Sequence, residues 1–108
     1  MYKIDIKPLS LNEAYRGRRF TTPSLKSYKQ YLNYLLPKLT IPVGKLGINC
    51  VFGVSSKNSD GDNLIKCFQD CLSTKYGFND NMIYQWQIKK TNVKKGKEYI
   101  EFDIYPFE

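Results

Sequence analysis

The sequence predicts an α+β fold: one small domain, residues 1–108, with elements in the order β-α-β-α-β-β and a mixed sheet carrying two helices. Three patterns predict it. Two stretches repeat apolar side chains at helical spacing, and four shorter ones alternate apolar and polar side chains as half-buried strands do. Connections rich in Pro, Gly, Asn and Ser separate them. At 108 residues and 42% hydrophobic, the chain has the material for one core.

Within YKIDIK, Tyr2, Ile4 and Ile6 alternate, so residues 2–7 form the first strand. Residues 8–24, PLSLNEAYRGRRFTTPS, carry turn-forming residues throughout and read as a long loop. Helical spacing resumes at Ser24 with Leu25, Tyr28, Leu32, Leu35 and Leu36. Pro37 ends or bends that helix, because it lacks an amide hydrogen and its ring clashes with the preceding turn. TIPVGK leads to a second strand, residues 46–56, where Ile48, Cys50, Phe52 and Val54 share a face despite the glycines between them.

A second helix begins near Asp60 or Asp62, whose short acceptors suit the open amides of a first turn. Leu64, Cys67, Phe68, Cys71 and Leu72 form its apolar stripe, and Gly77 lies in the connection after it. Residues 82–90 alternate through Tyr84, Trp86 and Ile88, and residues 97–105 through Ile100, Phe102 and Ile104. TNVKKGK between them suits a hairpin connection.

Composition removes several functional classes. There is no histidine, so Ser-His-Asp and Cys-His catalysis, His-based zinc hydrolysis and nucleases with a histidine base are excluded. The odd set of Cys50, Cys67 and Cys71 argues against a closed disulfide framework and reads as small buried core residues. No apolar run approaches the roughly 20 residues that span a bilayer, and the N-terminus has no signal-like apolar segment. The expected location is the cytoplasm, with no membrane partner.

Charge is unevenly placed. Residues 1–57 carry ten Lys/Arg against two acids; residues 58–81 carry Lys66 and Lys75 against four Asp; residues 82–108 carry five Lys against four acids, for a net +7. A basic chain suits nucleic acid or another anionic surface. The acidic island inside it would repel phosphate unless a cation bridged the two.

In the island, Asp62, Lys66 and Asp70 fall on one stripe of the helix, opposite the apolar stripe. Asp60 stands at the cap, Asn63 follows Asp62, and Asp80 lies in the loop after the helix. The same spacing describes a solvated face with intrahelical ion pairs. A calcium loop read from Asn58 fails, because Asn63 stands where Gly is needed and Gln69 where a bidentate Glu is needed. A metal site for phosphodiester cleavage uses these residues more fully. Carboxylates hold magnesium, and a lysine among them orients the nucleophile or offsets charge developing on phosphate.

DGDNLIKCFQDCL followed by YGFNDNMI resembles the RusA family of Holliday-junction resolvases of phages and prophages. The family pattern is Asp-x-Asp-Asn-x-x-Lys, an Asp four residues after the lysine, and a Gly-aromatic stretch leading to another acid. Here it falls on Asp60, Asp62, Asn63, Lys66, Asp70, Gly77, Phe78 and Asp80. The element order suits that family, as does an early loop with Asn12, Tyr15, Arg16, Arg18 and Arg19. The resemblance implies that Asp60, Asp62 and Asp80 hold the metal and, with Lys66, form the catalytic set, with Asn63 and Asp70 supporting. It implies a homodimer that nicks four-way DNA junctions symmetrically with Mg2+, Mn2+ substituting, in the cytoplasm of a bacterial host. Two departures stand out: the pair of acids the family usually places before the third strand is here Asn79 and Asp80, and the connection from helix to acid is short.

Arg16, Arg18 and Arg19, with Lys26 and Lys29 on the first helix, are the expected phosphate contacts. Tyr15 and Phe20 either stack on unpaired bases or pack the loop onto the domain. An isologous dimer supplies the two related cuts that a two-fold symmetric junction needs. The alternative from another class is a non-catalytic basic module that binds branched DNA, which has no need for Asp60, Asp62 and Asp80 to share a cation.

Overall fold

The structure, a computed structural model, describes the backbone of residues 1–16, 20–56 and 61–108, and in those ranges all side chains except those of residues 12, 15, 16, 20, 21 and 62. Arg18, Arg19 and Asp60 therefore lie outside the described residues. So do the side chains of Asn12, Tyr15, Arg16, Phe20 and Asp62.

The fold is α+β, a mixed sheet with two main helices packed on it. Its strands are β1 (Tyr2–Ile4), β4 (Leu46–Val54), β5 (Ile83–Asn92) and β6 (Tyr99–Pro106), in the spatial order β1-β6-β4-β5. β6 runs antiparallel to both β1 and β4, whereas β5 lies parallel to β4. Parallel neighbours need a crossover, and helix α3 (Gly61–Tyr76) provides it. Helix α2 (Pro23–Leu35) packs beside α3.

The core lies between the helices and one sheet face. Ile48, Cys50, Phe52 and Val54 of β4 meet Ile100 and Phe102 of β6, Leu64, Phe68 and Leu72 of α3, and Leu25, Tyr28 and Leu32 of α2. Phe68 is its centre, with ring centroids 6.0 Å from Phe52 and 5.5 Å from Phe102, both edge-on. On the other sheet face the two glycines of β4 have a packing reason. A Cβ at Gly47 would lie 2.3 Å from the Tyr105 ring, and one at Gly53 would lie 2.4 Å from Tyr99. The glycines let these rings lie flat across the strand, and Tyr105 Oη donates to Gln85 Oε1 on β5. Cys50, Cys67 and Cys71 are buried thiols, as expected.

Several boundaries differ from the sequence expectation. The first strand stops at Ile4 rather than running to residue 7, because the Ile6 amide turns back to the Ile4 carbonyl at 3.0 Å. The expected loop 8–24 contains a short helix, α1 (Leu11–Ala14), and a two-residue pairing of β2 (Tyr15–Arg16) with β3 (Phe20–Thr21). Ser10 and Glu13 form a reciprocal cap at the start of α1: Glu13 N donates to Ser10 Oγ (3.2 Å) and Ser10 N to Glu13 Oε1 (3.3 Å). Leu35, expected in the apolar stripe of α2, is exposed, and Leu36 is buried in the turn that ends the helix ahead of Pro37.

β5 carries the largest departure from simple alternation. Leu46 pairs with Ile83 but Gly47 with Gln85, so Tyr84 is an extra residue, a bulge. Tyr84 turns outward, stacks on Phe107 (6.2 Å, 10° between planes) and lies under the Lys45 ammonium (4.9 Å). Trp86 and Ile88 register with Ile48 and Cys50, yet remain 45% and 38% exposed because β5 is the sheet edge.

Candidate functional site

Asp62, Lys66 and Asp70 occupy successive turns of α3, as the helical period requires. Lys66 Nζ lies 3.0 Å from Asp70 Oδ1. An i,i+4 pair this exposed contributes only about 0.3–0.5 kcal/mol, so it orients the lysine more than it stabilises the helix.

Asp80 reaches the same lysine from another element. α3 ends at Gly77, whose amide bonds to the Ser73 carbonyl at 2.9 Å. The positive φ of 72° at Gly77 turns the chain back in a conformation that costs other residues. Phe78, ahead of a 3-10 turn (Asp80–Met82), and Met82, the last residue of that turn, pack against the core. Asn79 caps that turn, its Oδ1 accepting from the Asn81 amide at 3.1 Å. Asn79, which stands where the resembled family usually has the first of two acids, thus has a structural task. Asp80, held in this turn, brings Oδ2 to 3.9 Å from Lys66 Nζ. The side chains of Lys66, Asp70 and Asp80 are 51%, 38% and 45% exposed, so the group opens to solvent.

Lys66, Asp70 and Asp80 therefore come together, and Asp62 stands one helical turn before Lys66. Asn63 is half-buried in the same first turn. Among the described residues, no three His, Cys, Asp or Glu side chains form a group able to hold a metal ion. Asp60 and the Asp62 side chain, two of the three expected ligands, fall outside that description. The donor chemistry fits a hard cation: the chain has no imidazole, its thiols are buried, and the acids around Lys66 offer carboxylate oxygen alone.

Lys26 and Lys29 are both exposed on α2. Lys29 lines a groove between α2 and α3 with Asn33, Asp70, Cys71 and Thr74, which brings it to the acidic side of α3. Across the same two helices, Lys75 Nζ donates to the Asn33 carbonyl at 2.8 Å. Among the described residues Lys26 joins no such grouping, and Arg16, Arg18 and Arg19 lie outside the described side chains.

Sequence reasoning missed one pair. Gln69, treated only as a failed calcium ligand, is a buried polar side chain of α3 at 9% exposure, and its Oε1 accepts from Trp86 Nε1 at 2.8 Å. The signal was present: a Gln bordering an apolar helical stripe needs a donor, and a Trp on the neighbouring strand has one.

No helix among the described residues is long and apolar enough to cross a membrane. Comparison with known proteins finds no matching family model and no matching curated protein.

Proposed function

We propose that this chain is a magnesium-dependent endonuclease that resolves four-way junctions and other branched DNA by paired symmetric nicks, acting as a homodimer in the manner of the RusA family. The observation that carries this reading is the approach of Asp80 to Lys66. A solvated helix face has no need of an acid returned from the far side of a crossover, yet Asp80 reaches the lysine that already pairs with Asp70.

Asp60, Asp62 and Asp80 would hold the cation, which when bound neutralises phosphate charge and acidifies water. Lys66 presents an ammonium to the same region, where it offsets charge developing on the attacked phosphate. Asp70 holds Lys66 in place from the next turn. Asn63 supports the site, as the resembled pattern implies. Lys29, on the acidic side of α3, and Lys26, with Arg16, Arg18 and Arg19, bind flanking phosphates and set the register of the DNA without reading its sequence.

The test uses a synthetic four-way junction. Purified protein with Mg2+ is expected to give paired nicks at symmetric positions, and Mn2+ to substitute. Asp62→Asn should lower cleavage by about 100-fold or more while junction binding persists. Wild-type cutting by Asp62→Asn would remove the assigned site. Tight junction binding with no cleavage in either metal would identify a non-catalytic branched-DNA module instead. Competition with linear duplex separates a junction-selective enzyme from one blind to structure.

A further inference from the structure

Trp86 is the chain's single tryptophan, and 45% of it stays exposed. Its polar edge is fixed, with Nε1 donating to the buried Gln69 Oε1 at 2.8 Å. A large aromatic side chain whose orientation is anchored while its surface stays half in water is built for contact. Ile88, two residues on and 38% exposed, continues the apolar surface on the same sheet face. A Cβ at Gly61 would lie 3.3 Å from Ile88 Cγ2, so this surface runs under the start of α3. Tyr84 differs, because its ring is already stacked on Phe107.

The surface adjoins the acidic group. Gln69, which holds Trp86, directly precedes Asp70 and follows Lys66 by one turn. β5, which carries Trp86, begins immediately after the turn that carries Asp80. We propose that Trp86, oriented by Gln69, is a stacking platform for one unpaired nucleobase of the DNA held at this site. The proposal rests on the nuclease reading for the identity of its ligand. Stacking on an aromatic face tolerates any base but needs a base outside the duplex stack. Base pairs at a branch point lack a continuous stack on both sides and open at lower cost than pairs inside a linear duplex. Trp86 is thus a positioning residue that favours branched over linear DNA.

Because Trp86 is the only tryptophan, its fluorescence reports on this contact alone. The probes are a synthetic four-way junction, a short oligothymidylate and a linear duplex, titrated in Ca2+ to hold off cleavage. The junction and the oligothymidylate are expected to quench the emission saturably, and the duplex far less. Trp86→Leu should weaken junction binding by roughly 5- to 100-fold, raising KM more than it lowers kcat, and Trp86→Phe, which keeps an aromatic face but not the bond to Gln69, should restore part of the loss. Mobility shifts that show binding without quenching would overturn the platform, as would junction affinity in Trp86→Leu equal to wild type at an unchanged melting temperature. Cleavage is scored separately. Cutting without quenching removes the platform and leaves the nuclease; quenching and the Trp86→Leu loss without cutting in any divalent metal leave the platform and remove the nuclease.

Discussion

Lys66 meets two carboxylates that reach it by different routes, and the routes differ in how plainly the sequence showed them. Asp70 follows from the helical period alone. Asp80 depends on how sharply Gly77 turns and on which strand β5 pairs with, and neither is a local property. Buried groups make a separate prediction at this scale. Burial pushes the Cys71 thiol up to about 11 and raises Cys50 and the Tyr28 phenol as well. Burial also pushes Tyr76 up to about 12, and its hydroxyl donates to the Pro37 carbonyl at 2.6 Å. An unfolded chain releases thiol protons near pH 8.5. Above that, the unfolded state binds fewer protons than the native one, so stability falls as pH rises. Melting followed by circular dichroism should show a midpoint that is steady up to about pH 8 and declines between about pH 8.5 and 11. A midpoint unchanged across that window would mean these side chains are not buried as described.

At the scale of elements, both main helices stand where periodicity put them, while the loop before α2 holds structure that periodicity is too coarse to detect. α1 is a single turn, too short to display an apolar stripe, although its capping pair Ser10 and Glu13 is written plainly in SLNE. Thr22 shows what this segment does for the fold. Its Oγ1 accepts from the Leu25 amide at 3.3 Å as the cap of α2 and donates to the Glu13 carbonyl at 2.6 Å, tying α2 to α1. Thr22→Ala removes both contacts and should cost about 1 kcal/mol, with Thr22→Ser close to wild type. Denaturant unfolding measures it, and a loss near zero would mean that Thr22 neither caps α2 nor holds it to α1. β5 is the converse case. Its alternation was legible, but Tyr84, Trp86 and Ile88 became the exposed set, because the bulge at Tyr84 and the edge position in the sheet are fixed by pairing rather than by the strand's own residues.

For the whole molecule, the β4-α3-β5 crossover is what turns a sequence pattern into a site. It returns the chain past α3, so Asp80, in the turn that leads into β5, lies beside a lysine on the helix that made the crossing. The α+β class and the order of the main elements were readable because each rests on local periodicity. The convergence of Asp80 on Lys66 was not, because β5 pairs in parallel with β4 and not, as TNVKKGK suggested, in a hairpin with β6, from which β4 separates it. The proposed function requires a divalent cation shared by Asp60, Asp62 and Asp80. Crystals soaked in manganese and measured for anomalous scattering test it most directly. The account predicts one or more peaks within about 2.5 Å of carboxylate oxygens from all three aspartates, lost in Asp80→Asn. Well-ordered density for the three side chains, directed apart and with no anomalous peak between them, would contradict it.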